Sequence, residues 1–600
     1  MLQTITVGRE TPAKRRLLAA TILAGGAFAA AWLSPGPALA LPINLMDGQL
    51  TGNFDTTVSV GASMRVQDRD LGLIGIRNGG SAGSINSDDG NLNYSRGDLT
   101  SGATKALHEL DLKYSNYGLF GRFFYFYDPV IMNSDTDRTR LPTAAETISG
   151  RDIKLLDLYG SAQFEVGGMD VTVKGGNQVL NWGESTFIPN GINVINPVDV
   201  AKLRVAGAEI KEALLPIPAL DVRIGLSKKF SVEGFYQFAW KNTELDPAGT
   251  FFSANDFASP GGKFAYTGFG TAINGTNDNP NAGQFIPRAL DDAASDQGQF
   301  GFALRYFEPA LNDSEFGLYY IRHHSRLPLL SGRTPTTVGG LATFQSSRYF
   351  REFPEDIDLY GASFNTTIER FGLSLFGEAN YRRDQPLQVD LNEVLFSTLS
   401  AAGTRGQLGT FAAGGNEVTG FKRKDVVQAQ ISALKVFGPN FGASQFTIIG
   451  EVGGTYIRDM EEACVLRYQG PGVNYPGSFP GCVAGAAVAA QRGTPAVTQE
   501  AGFPDAFSWG YRITAAAQYN NVIGPIGLTP ALAFAHDVHG TTPGPLSTFL
   551  EDRKSITASI RASYQNNLRA ELSYTSFFGA DIFNVINDRD FVSLSLSYSF

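Results

Sequence analysis

From Val592 to Phe600 every second residue is apolar, and the residues between are all serine. Val592, Leu594, Leu596, Tyr598 and Phe600 share one face of an extended strand, and Ser593, Ser595, Ser597 and Ser599 share the other. The same alternation runs through Asn53 to Val66, where Phe54, Val58, Val60, Ala62 and Met64 oppose Asn53, Asp55, Thr57, Ser59 and Ser63. It returns in Leu373 to Tyr381, Phe446 to Tyr456, Trp509 to Tyr519 and Ser555 to Tyr564. A strand with one apolar and one wet face must bury the apolar face against something, and so many of them restrict what that can be.

The connections narrow the choice. Tight turns at Asn116-Tyr117-Gly118, Val166-Gly167-Gly168, Glu369 to Gly372 and Gln565-Asn566-Asn567 alternate with long segments rich in Gly, Asp, Asn and Pro, near 67–105, 129–152, 177–218, 241–296, 325–355, 384–421 and 458–507. Alternating short and long connections are those of a transmembrane barrel, with turns at the periplasmic rim and loops outside. Closure follows from hydrogen bonding, because an open sheet edge in lipid leaves N–H and C=O groups with no partner. The fold class expected is therefore all-β: a transmembrane antiparallel β-barrel of about 16–18 strands, spanning residues 41–600 as one domain in the outer membrane of a Gram-negative bacterium. An even count puts both ends of the barrel at the periplasmic rim. Charged residues are 18% of the chain, against roughly 25% in soluble domains. Recurring aromatics near strand ends (Tyr114, Tyr127, Trp240, Tyr381, Trp509, Tyr519, Tyr564 and Tyr598) are placed as interface girdles would be.

Residues 1–40 have the form of a secretory signal: Lys14, Arg15 and Arg16, an apolar run from Leu17 to Leu33, and the small-x-small site Ala38-Leu39-Ala40. Beyond Ala40 no apolar run approaches the roughly 18 residues of a spanning helix. The acidic balance, net −10 over the whole chain, argues against nucleic acid as a partner. The two cysteines, Cys464 and Cys482, stand close together in a Gly/Pro-rich stretch, and in an exported protein this spacing predicts a disulfide.

A long loop with apolar content follows the strand in which Asp170, Thr172 and Lys174 oppose Met169, Val171 and Val173. It carries Leu180, Trp182, Glu184, Phe187, Ile188, Asn190, Asn196 and Asp199, and then a short helical stretch near Ala208 to Leu215. Two placements are open: an external loop packed on its neighbours, or a segment folded back into the barrel. In the second, Trp182, Glu184, Asn190, Asn196 and Asp199 would form a constriction of the lumen. The stretch Gly176 to Asn190, continuing through Asn193 to Asp199, resembles the hallmark of a proteobacterial family catalogued as domain of unknown function family 1302. The strand Asn53 to Val66 and the hairpin Leu220 to Trp240 are also similar. The resemblance implies an outer-membrane protein linked to handling of hydrophobic compounds such as hydrocarbons, lipids or steroids, and it brings no catalytic residues with it.

Local motifs for chemistry are weak. Gly183-Glu184-Ser185 lacks the second glycine of a nucleophile elbow. His536 and His539, three apart on a strand, point to opposite faces. Asp135-Thr136-Asp137 lacks the glycine and closing glutamate of a calcium loop, and His323-His324 is a rim pair. No enzyme, metal or cofactor is expected. Charges expected on the lumen face are of mixed sign: Asp55, Arg65, Glu109, Asp111, Lys113, Arg122, Glu378, Arg382, Glu451, Arg512, Arg561, Arg569 and Glu571. The reading is an outer-membrane channel or transporter with hydrophobic or amphipathic organic cargo, in contact with outer-membrane lipid. Loop aromatics (Phe251, Phe252, Phe257, Phe264, Tyr266 and Phe269) offer such cargo a surface. The alternatives are a general porin for polar solutes and an accessory partner of an envelope lipid-transport system with a periplasmic companion.

Overall fold

The structure, a computed structural model, describes residues 41–269, 284–475, 499–565 and 567–600. The expected signal segment 1–40 and Cys482, the expected disulfide partner of Cys464, lie outside the described residues.

Eighteen antiparallel strands close into one barrel. In chain order they are β1 (Leu50–Arg65), β2 (Thr104–Tyr114), β3 (Tyr117–Tyr127), β4 (Arg151–Val166), β5 (Met169–Gln178) and β6 (Ile217–Gly225). Next come β7 (Phe230–Gln237), β8 (Phe300–Glu308), β9 (Ser314–His323), β10 (Ile357–Ile368), β11 (Leu373–Gln388) and β12 (Phe421–Phe437). The last six are β13 (Gln445–Ile457), β14 (Phe507–Ile523), β15 (Ile526–His539), β16 (Lys554–Tyr564), β17 (Leu568–Phe578) and β18 (Phe591–Ser599). Each strand pairs with its sequence neighbours, and β1 pairs with both β2 and β18, which leaves no open edge. At the seam Val58 stands opposite Tyr598 and Ala62 opposite Leu594, with Phe600 exchanging backbone hydrogen bonds with Thr56 at 2.7 and 2.9 Å.

The alternation read from the sequence sets which face meets lipid. Leu318, Ile431, Val452, Leu532, Ile560, Leu572 and Leu594 are exposed on the outer wall, as a lipid-facing band requires. Their neighbours Glu378, Gln430, Glu451, Arg512, Arg561, Glu571 and Ser595 point inward. Short turns close one rim: Ser115-Asn116, Gly167-Gly168 and Gly524-Pro525 are the tightest. Positive φ at Ser115, Gly167, Gly168 and Gly524 gives these reversals the twist the flanking strands need. Long connections fill the other rim, including two the sequence reading passed over, 540–553 and 579–590. Both ends of the barrel chain stand at the short-turn rim. This closed, lipid-banded barrel is an outer-membrane architecture, and it places the chain there.

One aromatic departs from its expected role. Trp240 lies in loop 238–299, packed on Phe353 with ring centroids 4.8 Å apart, and its indole N–H donates to the Ser325 carbonyl. It supports the loops and does not mark the membrane boundary. Tyr114 and Tyr127 keep exposed positions at opposite strand ends.

The two faces predict opposite responses to the same charge. Leu572→Arg, on the lipid side of β17, is expected to destabilise the barrel by about 2–4 kcal/mol, and Ser573→Arg on the lumen side by well under half of that. Denaturant unfolding in lipid vesicles measures both; equal losses would overturn the facing of β17.

Candidate functional site

The loop between β5 and β6, residues 179–216, turns into the barrel and is fastened to its inner wall. Two carboxylates take six of its backbone N–H groups. Glu378 on β11 accepts backbone N–H bonds from Glu184 (2.5 Å), Ser185 (3.1 Å) and Ile192 (2.7 Å). Glu451 on β13 accepts those of Thr186 (2.9 Å), Phe187 (2.7 Å) and Ile188 (2.6 Å), and the Ser432 hydroxyl at 3.0 Å. A loop inside a barrel has no strand to receive its N–H groups, and each would otherwise be an unpaired buried donor. Charged acceptors answer that need with bonds stronger than neutral ones.

The close approach requires glycine. A Cβ on Gly183, which has φ +89°, would stand 2.3 Å from Glu378 Oε2, and one on Gly191 would stand 1.9 Å from Oε1. These glycines clamp the carboxylate between two turns of the segment. The glutamines of β12 complete the seam, with Gln428 donating to the Pro189 carbonyl at 2.7 Å. Arg382 donates to the Asn190 carbonyl. Apolar side chains fill the gap on the adjoining wall. Leu180, Trp182, Ile192 and Ile195 form a buried cluster with Ile217, Ala219, Phe235, Ala303, Tyr319, Ile321 and Leu359 from β6 to β10.

The five residues expected to constrict the lumen divide into two groups. Trp182 is 1% exposed, stands edge-on to Phe235 at 5.0 Å and donates its indole N–H to Glu233 at 2.9 Å. Asn196 staples the two ends of the segment, accepting from Leu180 N–H and donating to the Leu215 carbonyl. Asp199 caps the helical turn Val200–Leu203 and pairs with Lys154 at 3.1 Å. These three are buried anchors. Glu184 and Asn190 are half-buried, and Asn190 reaches across to loop 540–553, donating to the Leu546 carbonyl (3.0 Å) and the Thr548 hydroxyl (2.9 Å). At the far end Glu212, within the short helix Ile210–Ala213, forms a buried ion pair with Lys105 of β2, and Lys211 pairs with Glu109 at 2.6 Å. The sequence reading marked Glu109, Glu378, Arg382 and Glu451 as lumen charges without seeing that they hold the loop. The paired glycines at 183 and 191 were the available signal.

Above the segment the long loops form a cap with its own small sheets, Leu329–Arg333 between Arg348–Glu352 and Glu417–Val418, and Phe264–Tyr266 with Phe285–Pro287. They line an open cavity of about 410 Å³. Phe257, Tyr266, Phe269, Leu330, Tyr349 and Leu395 supply much of its lining, with Asn86, Arg348 and Gln469 as polar points. Three of the six loop aromatics therefore face the cavity. Phe251, Phe252 and Phe264 pack on Tyr94, Phe591 and Phe285 respectively. The helix Leu391–Thr398 forms one side and is capped by Asp390, which accepts the Asn392 N–H at 2.7 Å. Burial, with Glu393 nearby, pushes the Asp390 carboxyl up to about 7 against the opposing pull of Arg467. His323 and His324 are buried at the end of β9, and His539 stands 3.5 Å from Glu551, away from His536, which lies against Tyr511. Among the described residues, Asp88, Asp89 and Asp256 bring carboxylate oxygens within 4.8 Å of one another in the cap.

The chain matches the model of the family described as protein of unknown function (DUF1302) over residues 21–600. It belongs to that family. No curated protein matches this DUF1302 chain in sequence. Among solved structures it is similar to Acinetobacter baumannii OccAB1, at 9% identity and a TM-score of 0.40 over 94% of this chain and 99% of that one. It is also similar to Pseudomonas aeruginosa OccK9 (OpdG), at 11% identity and a TM-score of 0.39 over 92% and 98% of the two chains. A third likeness is to the A. baumannii outer membrane channel DcaP, at 8% identity and a TM-score of 0.35 over 94% and 100%.

Two measurements probe the site. Glu378→Ala strands the N–H groups of Glu184, Ser185 and Ile192, and hydrogen exchange at these amides is expected to accelerate at least about a hundredfold, in line with a loss of ~3 kcal/mol. Unchanged protection would show that the segment is held by other means. The Asp390 carboxyl has a folded pKa above its ordinary 3.8, so its contribution is full below that value and is lost as pH rises through about 7. Protection of the helix Leu391–Thr398, corrected for intrinsic exchange, is expected to fall between about pH 5 and pH 8 and to stay level in Asp390→Asn. A pH-dependent fall that survives in the variant would remove Asp390 as its source.

Proposed function

We propose that this protein is an outer-membrane channel for hydrophobic or amphipathic organic compounds, with segment 179–216 as the constriction that keeps the lumen from being an open pore. The observation that carries the reading is the pairing of a mainly apolar cavity in the external cap with a lumen crossed by a fastened segment. A barrel of this strand number leaves an aqueous lumen when nothing fills it. Here Glu378 and Glu451 hold a segment across it, so free diffusion of polar solutes is obstructed while the barrel keeps room for a selected one. The cavity, at about 410 Å³, is in the size range of sites that hold a drug-sized organic molecule. Phe257, Tyr266 and Phe269 give a greasy solute a place to leave water at the outer rim, and Asn86 and Gln469 give a polar group something to bond. The family resemblance to handlers of hydrophobic compounds supports the same cargo class.

Single-channel recording in planar bilayers tests the reading, with the intact chain and with a variant lacking residues 181–199. The intact protein is expected to show little steady conductance and the deletion variant a large one. Steady high conductance of the intact protein would favour a general porin and sink the constriction. Silence of both, with the heat-modifiable migration of a folded barrel confirmed, would sink the channel.

A further inference from the structure

The inward segment is fastened to only part of the wall. Its hydrogen bonds and ion pairs to the wall run to β2, β4, β7 and β10–β13, and others reach the outer loops from Asn190, Val194, Val200, Lys202 and Arg204. Near its end Ala206 and Gly207 rest against Gly61 of β1 and Ser595 of β18. Among the described residues no hydrogen bond or ion pair joins it to the lumen faces of β14–β17. Apart from Arg512, Arg561, Arg569 and Glu571, those faces carry mainly small side chains. One row of cross-strand partners runs Ala516, Ala531, Ser559, Ser573, Ser593 and Ser63 from β14 round to β1. The clamped wall carries Ser363, Glu378 and Gln430 as cross-strand partners on β10–β12.

Small side chains leave width, and hydroxyls can turn to solvate a passing polar group without holding it. A cavity of about 510 Å³ lies between residues 203–209 and β16–β18, lined by Arg204, Arg561, Arg569, Glu571 and Ser573 among others. Its charges are unequally compensated. Arg561 pairs with Glu571 at 2.7 Å and Arg204 with Asp246 at 3.1 Å. Glu209 pairs with Lys211 at 3.2 Å. Arg569 is exposed to the lumen, and no carboxylate among the described residues pairs with it.

We propose that solute passes segment 179–216 along the hydroxyl-lined wall of β14–β18, and that Arg569 makes the passage prefer organic anions. The cargo is then an amphipathic anion: an apolar body suited to the cap cavity, and a carboxylate or similar head carried past Arg569. The inference rests on the channel reading and sharpens its cargo. Uncompensated charge in a narrow hydrated passage raises the local concentration of counter-charged solute.

Thiol labelling of protein in nanodiscs, with both rims accessible and the unsubstituted chain as the blank, tests the route without needing conduction. Ser559→Cys, in the open wall, is expected to react with a small methanethiosulfonate at least about tenfold faster than Ser432→Cys, which sits beneath Glu451 on the clamped wall. Ser597→Cys, opposite Arg569 in the β17–β18 ladder, is expected to favour a sulfonate-bearing reagent over a trimethylammonium one about fivefold, relative to their rates with a free thiol. The preference should fall to near one in Arg569→Gln. If Ser559→Cys does not fold, Ser573→Cys tests the neighbouring position across the ladder. Labelling of Ser432→Cys as fast as Ser559→Cys, or of neither, would overturn the route. A fivefold preference that survives Arg569→Gln would overturn the role of Arg569. A labelled Ser559→Cys in a protein that never conducts, even with 181–199 removed, would end the channel reading and keep the wet wall. Conduction with Ser559→Cys unlabelled would end the route and keep the channel.

Discussion

A polypeptide in lipid must satisfy its own backbone, and that constraint shapes this molecule from the wall inward. An unpaired N–H or C=O in hydrocarbon costs several kcal/mol, so the eighteen strands have no stable arrangement short of closure. Closure creates a lumen wider than side chains alone can fill. The same accounting then recurs inside it. Segment 179–216 enters the lumen with no ladder to join, and its N–H groups go to Glu378 and Glu451. The carboxylates are as much backbone partners as functional charges, and mixed lumen charge here is in large part structural.

The cap, the segment and the wall depend on one another in sequence. The apolar cluster around Trp182 holds the segment against β6–β10, the two glutamates hold it against β11–β13, and Asn190 ties it to loop 540–553 beneath the cap. A rearrangement of the cap that moved Leu546 or Thr548 would act on Asn190, and through it on the turn next to Gly191. The outer rim and the constriction are therefore mechanically joined, at Asn190 and again where Arg326 donates to the Val194 carbonyl and Arg204 pairs with Asp246.

Much of this was readable in the sequence where the physics is local. The Val592–Phe600 alternation, the Gly167-Gly168 turn and the run of loops gave the barrel and its strand count, because lipid on one side and water on the other writes a period of two. The pattern fades on β9, Ser314–His323, where Tyr319 and Ile321 face inward and Phe316 and Leu318 face lipid. Both faces are apolar there because the inward segment covers the lumen side, and a contact so distant in sequence leaves no periodic mark. The apolar content of the loop itself, Leu180, Trp182 and Ile188, hinted at burial. Which wall would receive it was hidden, since Glu378 and Glu451 look like any other lumen acids until the backbone of residues 184–192 is laid against them.

The short strand Leu41–Leu45 lies along β1 from Leu50 to Phe54, on the edge that β18 occupies further on. It leaves β18 only the stretch Thr57–Arg65 to join, which matches the nine residues of β18. Sliding β18 toward the turn rim would drive Phe600 into Leu41. The hairpin thus works as an end stop for the final zippering of the barrel, fixing the stagger between first and last strands. With the stagger fixed, the tilt and bore of the whole cylinder are fixed too, so a five-residue strand at the rim helps set the width of the hole that the glutamates then bridge.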